Sequence, residues 1–456
     1  MRVALRPPAS FAVAVSSLAW VTLASPALAD GLDHVESVVE VSQLTGAASP
    51  NATDQVNVYG TDLGNMFVHD DGRLYFLFGD TFGSPGTPET SGDWRSNVMA
   101  FTSDFTASDG ITLDGWIVDG SGHAKALVEG EHHPNDGSGE VTKIPTSGFS
   151  VGGRQHMWFM SVRQWGAPGQ WICDYAEIAT SDDDGSTWTR SGVQWAGDGN
   201  FVQTAVVEHE GWLYVYGIPA GRFGSVRLAR VAPGSVLDQG AYEYYAAGSS
   251  WTGVESDAVD IVPSPAGELS VAWNGYLNRW MMLYLDEGQA RIVLREATDP
   301  WGPWSEGVEL CNGADYPALY GPFTHPVLFE EDGRVVHFLL SRWGAYNVFV
   351  MKAVLARVES TTPDAGPQPD AGGQSDAAGQ PDASTGADAN PVPGASAVGG
   401  DEGSGCACRS AGPGGRGTMF LWSLLGIGWV AFRNLRSPRK TKRQLRDNAS
   451  GHSLLD

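Results

Sequence analysis

The chain has 456 residues, with 28 Lys and Arg against 53 Asp and Glu, for a net charge of −25. That balance offers no basic surface for phosphates, so nucleic acid is set aside as a partner. Once both ends are set apart, about 330 residues (31–360) remain, enough for one large domain or two small ones.

The first 29 residues have the layout of a secretory signal peptide. Arg2 and Arg6 give a basic start, residues 11–24 are mostly apolar, and Ala27-Leu28-Ala29 fits cleavage before Asp30. A buried N-terminal helix is the alternative.

From residue 55 onwards the pattern is that of strands. The runs RLYFLFGD (73–80), QHMWFMSV (155–162), GWLYVYGI (211–218), RWMMLYLD (279–286) and VVHFLLSR (335–342) are short, aromatic and β-branched. Each follows a turn signal: Asp71-Gly72, Gly152-Gly153, Glu210-Gly211, Leu277-Asn278 and Asp332-Gly333. An apolar strand precedes each turn (NMFVHD, GFSV, TAVVEH, LSVAWNG, HPVLFEE), and further strands usually follow. Five copies of a strand–turn–strand–strand unit predict an all-β chain and a five-bladed β-propeller over 31–360. A β-sandwich is the alternative fold.

Two short strings flank the first hairpin, GTDLG (60–64) and FGDTFG (78–83). Asp62 lies nine residues before Asp71 and Asp80 nine after it. If Asp71-Gly72 is the turn, both aspartates fall at the open end of one hairpin, on strands about 4.8 Å apart. Like charges that close disfavour joint ionisation, so one carboxyl should hold its proton. A protonated carboxyl beside an ionised one is what glycoside hydrolysis needs. Asp before Gly at a strand end is also ordinary turn chemistry, and spacing alone leaves both readings open.

Hydrogen bonds to sugar hydroxyls and aromatic faces would have to come from nearby. Thr61, Trp94, Arg95 and Asn97 follow the first hairpin closely, and Glu268, His325 and Arg342 stand beside strands of later repeats. These seven are the candidate substrate contacts. Trp165, Trp273 and Trp343 are expected to pack between blades.

Other motifs carry less. Ser181–Trp188 (SDDDGSTW) matches the Asp-box hairpin of propellers, in which Asp183 bonds turn amides and Trp188 packs between sheets. A calcium ion at 182–184 is disfavoured against a solvated turn. Residues 148–152 fit G-x-S-x-G, but a β-turn and not a helix follows, against a hydrolase elbow. His132-His133 has no HExxH companion, and no glycine loop precedes a helix, so no metal or other cofactor is expected. Cys173 and Cys311 are the only cysteines of the domain; one disulfide and two unpaired thiols both remain open.

Past the domain, residues 361–405 are nearly all Pro, Asp, Ala, Gly, Gln and Ser. Aspartates 364, 370, 376, 382 and 388 recur every six residues. This composition predicts an extended, disordered acidic linker. Then come Cys406 and Cys408, an apolar run at 418–432, and seven basic residues between Arg433 and Arg446. The run is short for a membrane span unless its flanks extend it, and the basic end should stay cytoplasmic.

Two resemblances sharpen these readings. The order of cysteine motif, hydrophobic helix and basic tail over 406–446 resembles the myxobacterial C-terminal sorting signal (MYXO-CTERM). That resemblance implies a membrane helix or processed anchor, a sorting protease as partner, and display at the cell surface. Within the domain, VYGTDLGNMFVHDDGRLYFLFGDTFG with GDWRSNVMAFTSD, GELSVAWNGYLNRWMMLY, PWGPWSE, YGPFTHP and LSRWGAYNVFVMKA resembles the family called domain of unknown function 4185. Members of that family were reclassified as glycoside hydrolase family 183, endo-D-arabinanases on a five-bladed propeller. The resemblance implies a polysaccharide substrate of the arabinogalactan or lipoarabinomannan type. It also implies that Asp62 and Asp80 are the catalytic carboxylates. Asp62, at the innermost strand, is expected as base or nucleophile and Asp80 as acid. A non-catalytic carbohydrate-binding propeller, an adhesin, is the second hypothesis. Sialidase is disfavoured because no set of three arginines can be placed.

Overall fold

The computed structural model describes residues 31–85 and 92–358. The signal peptide at 1–29, the linker at 361–405 and the tail with its helix at 418–432 lie outside the described residues. Among the described residues, no helix is long and apolar enough to cross a membrane.

Five antiparallel sheets follow one another along the chain. The first blade runs from its innermost strand Leu63–Val68 through Leu74–Phe78 and Val98–Thr102 to Gly115–Trp116. The second, third and fourth blades open on Thr142–Val151, Gln203–His209 and Leu269–Asn274. The fifth comprises Leu319–Thr324, Val335–Arg342, Asn347–Arg357 and, as its outermost strand, Leu32–Gln43 from the start of the domain. Each innermost strand lies against the next, and the fifth lies against the first, so the sheets form a closed five-bladed propeller. Ring closure rules out the sandwich, in which two sheets face each other.

The second strands carry the core. Leu74, Tyr75, Phe76, Leu77 and Phe78 are all completely buried, because both faces of that strand meet neighbouring blades. In the strand Leu32–Gln43 two exposed residues follow each of the half-buried Leu32, Val35 and Val38, as suits an outer edge. Its pairing from Leu32 with Arg357 to Gln43 with Phe349 ties the two ends of the domain into one blade.

The sequence reading of the fifth repeat needs correction. HPVLFEE is not its innermost strand; YGPFT, within Leu319–Thr324, is. Pro326 has no N–H to give a ladder, and the His325 imidazole accepts from the Val327 N–H, so Pro326–Leu328 winds into a short 3-10 turn instead. The Asp-box reading describes the turn well: Asp183 accepts from the Thr187 N–H and hydroxyl, both at 2.7 Å. Asp182 is paired with Arg154 and Asp184 lies 3.3 Å from His69, so neither stands ready for calcium. Cys173 and Cys311 are buried and unpaired.

Candidate active site

The starts of the innermost strands converge at one end of the ring, and the loops leaving the second strands surround them. Asp62 sits just before Leu63–Val68, and Asp80 two residues past Leu74–Phe78. The Asp62 carbonyl accepts from the Gly79 N–H at 3.1 Å, and the Thr61 and Thr81 hydroxyls meet at 2.6 Å. Those cross-links hold the two aspartates side by side. Gly79 is required there: a Cβ on it would come within 2.4 Å of Asp62 Oδ1. Gly64, at φ 95°, makes the bulge that turns the strand's start toward the axis.

The two carboxyls differ in their surroundings. Asp80 Oδ1 accepts from the Trp94 indole N–H at 2.7 Å and from the Thr142 hydroxyl at 2.5 Å. Asp62 Oδ2 accepts from the Tyr320 hydroxyl at 3.0 Å. Asp62 Oδ1 is fully covered and has no hydrogen-bond partner, though the buried Tyr346 hydroxyl interacts with both aspartates.

Both groups are pushed above the usual carboxyl range. Asp62 rises to about 8, chiefly through burial, then through the charge of Asp80 beside it. Asp80 rises to about 7, through burial opposed by its two donors. The two donors on Asp80 favour its charged form, and the covered, donor-poor Oδ1 of Asp62 favours a proton there. A proton on Asp62 would reverse the expected division of roles, in which Asp62 is base or nucleophile and Asp80 the acid.

A cation stands behind Asp62. Arg222, in the loop after the third blade's second strand, donates to Glu268 at 2.7 Å and to Glu287 at 3.2 Å. Its guanidinium also lies 4.9 Å from the centre of the Tyr320 ring. Gln203 fixes that loop by donating to the carbonyls of Pro219 and Gly221. Glu268, Arg222 and Tyr320 thus form a polar chain from the fourth, third and fifth blades to Asp62.

The predicted substrate contacts divide. Trp94 reaches the carboxylate pair, Glu268 is joined to it through Arg222 and Tyr320, and Thr61 braces it from below with its hydroxyl already bonded. Arg95 spends its guanidinium on the carbonyls of Ala124 and Asn57. Asn97 is completely buried and ties Val128, Lys143 and Leu127 together. His325 follows the far end of its innermost strand, so the ring separates it from Asp62. Arg342 ends a strand at the site end, but it pairs with Glu40 at 3.0 Å and lies over Phe349. Arg95, Asn97, His325 and Arg342 are not brought to the pair. Trp273 and Trp343 do not pack between blades either; they are 40 % and 49 % exposed.

Sequence reasoning missed Thr142, Arg222, Tyr320, Tyr346 and His132. Tyr320 and Tyr346 stood inside strings that carry the family resemblance. Arg222 sits between Gly221 and Phe223-Gly224, in a loop flanked by glycines as GTDLG is. Thr142 carried no signal. His132 was weighed only as a metal ligand, yet it stacks on Trp94 at 4.0 Å and 10°, and so fixes the donor to Asp80.

Residues 48–352 match the family described as "Domain of unknown function (DUF4185)". The chain belongs to this family. Two fungal proteins are similar to it along most of their length. Notoamide biosynthesis cluster protein J of Aspergillus sp. (strain MF297-2) is 29 % identical over 340 residues, covering 68 % of this chain and 90 % of the relative. Protein J' of Aspergillus versicolor is 31 % identical over 301 residues, covering 63 % and 81 %. Among solved structures, a putative hydrolase from Bacteroides ovatus aligns with TM-score 0.49 at 16 % identity, covering 66 % of this chain and 88 % of that one. A GH43_1 enzyme from Xanthomonas citri aligns with TM-score 0.41 at 13 % identity, covering 66 % and 92 %.

Proposed function

We propose that this DUF4185 protein is a glycoside hydrolase that cuts D-arabinofuranosyl polymers internally, using Asp62 as general acid and Asp80 as base or nucleophile. The observation that carries the reading is the pair itself: two adjacent, covered carboxyls whose donors are divided unequally. A structural turn aspartate has no need of such a neighbour, and two like charges taken out of water oppose folding unless one holds a proton. Asp62 would give its proton to the glycosidic oxygen. Asp80, ionised, would attack the anomeric carbon or take a proton from water. Carboxyl separation distinguishes the two routes, about 5–5.5 Å for retention and about 6.5–9.5 Å for inversion.

The arabinan substrate rests on the resemblance to glycoside hydrolase family 183. Export and surface anchoring rest on the order of the terminal segments. The test incubates purified protein with mycobacterial arabinogalactan, lipoarabinomannan and a panel of other neutral polysaccharides, with products separated by chromatography. Release of arabino-oligosaccharides supports the full reading. Release from another polymer alone keeps the hydrolase and removes the arabinan. For localisation, protease shaving of intact source cells should remove the protein; full protection would count against display.

A further inference from the structure

The turn after the fifth blade's second strand presents an indole at the edge of the site. Trp343 follows Val335–Arg342, and its N–H donates to the Ala318 carbonyl at 3.1 Å. Tyr346 closes the turn, its N–H donating to the carbonyls of Arg342 at 2.8 Å and Trp343 at 3.1 Å. Tyr346 has φ 45° and Ala318 φ 58°, both in the left-handed region that side chains rarely enter. Strained positions of this kind persist where the surroundings enforce them, and they gather at functional sites. The turn is therefore a rigid mount.

The Trp343 and Tyr346 rings meet edge to face, 5.4 Å apart at 89°. That contact leaves Trp343 half exposed, while Tyr346 is buried and its carbonyl accepts from the N–H of Thr61, the residue before Asp62, at 2.9 Å. A single exposed apolar side chain is unremarkable on most surfaces. This one stands on a turn whose backbone is hydrogen-bonded on both sides, and its ring abuts Tyr346.

We infer that Trp343 is the stacking platform of a sugar subsite adjoining Asp62 and Asp80, and that the subsite takes a neutral sugar ring and not an acidic one. The inference rests on reading this end of the ring as a glycan site. Aromatic faces bind the apolar C–H face of a sugar, and this one needs no rearrangement to do so. Charge sets the ligand class: Asp62, Asp80, Glu268 and Glu287 crowd the site. The arginine nearest Asp62 is matched to carboxylates, Arg222 to Glu268 and Glu287, and Arg342, away from the pair, is matched to Glu40. A uronate or sialate would meet repulsion, and among the described residues Arg222 is already committed to Glu268 and Glu287.

The test measures binding by titration calorimetry on the full chain carrying Asp80→Asn, so that ligand is not consumed. The probes are arabino-oligosaccharides from arabinogalactan and, in parallel, polygalacturonate fragments. We expect the neutral oligosaccharide to bind, Trp343→Ala in that background to weaken it by about tenfold, Trp343→Phe to restore most of the loss, and the acidic fragments not to bind. Melting temperatures of the variants separate lost binding from lost folding. Equal affinity with and without Trp343, or no binding of the neutral oligosaccharide, overturns the platform. Tighter binding of polygalacturonate overturns the neutral-ligand assignment. Product release by the unsubstituted protein is scored separately. Binding that depends on Trp343 without any product would keep the platform and remove the hydrolase.

Discussion

The Tyr320 hydroxyl donates to Asp62 Oδ2 at 3.0 Å, while Asp62 Oδ1 has no donor within hydrogen-bond distance among the described residues. Asp80 receives two hydrogen bonds, from Trp94 and Thr142. The unequal division of donors is the physical basis for unequal roles.

Activity should follow a narrow bell in pH. Asp80 must be ionised and Asp62 protonated, so the rate rises as pH passes about 7 and falls as it passes about 8. Because the groups interact, these limbs belong to the pair. Tyr320→Phe removes a donor that favours the ionised form of Asp62, and should move the alkaline limb up by about one unit. Thr142→Val removes a donor from Asp80 and should move the acid limb up by a similar amount. Limbs that stay fixed in both variants would exclude these assignments.

Stability should carry the same signature. Unfolded aspartate titrates near 3.8, while both groups are raised in the folded chain. Between about pH 4 and pH 8 the folded state thus binds more protons than the unfolded one. The stability these groups contribute is fully present below about pH 4 and is lost as pH rises through the folded values. Asp62→Asn should accordingly raise the melting temperature at pH 8, by about 2 °C or more, and change it little at pH 4. Scanning calorimetry at the two pH values reads the difference.

Arg222 balances two acids inside the ring, and removing it strands them. Arg222→Met should cost about 3–5 kcal/mol, the range for breaking a buried pair from one side. Adding Glu268→Gln should recover part of that loss, as urea unfolding of the single and double variants would show.

Asn97 was expected at the substrate and is instead a buried staple of the loop at 127–128. Asn97→Ala leaves four polar backbone groups to find new partners, at a cost of about 2–4 kcal/mol. A variant that unfolds at the parental urea concentration would contradict this.

Much of the fold was legible because five second strands repeat one apolar run after one turn signal. The outer strand Leu32–Gln43 was not, since its mostly polar surface gives no core pattern and its partner lies at the other end of the domain. The first hairpin could be counted from Asp71, which brought Asp62 and Asp80 together. The Tyr320–Arg222–Glu268 chain could not be counted, because it joins three blades and depends on ring closure. His325 misled for the same reason: standing beside a blade strand does not tell which end of the ring a residue occupies.

The central claim is that Asp62 and Asp80 hydrolyse a glycan together. The direct measurement is oligosaccharide release from mycobacterial arabinogalactan by the unsubstituted protein, Asp62→Asn and Asp80→Asn, at matched folding. The account predicts release by the unsubstituted protein and a loss of at least about a thousandfold in each variant. Undiminished release by either variant would contradict it.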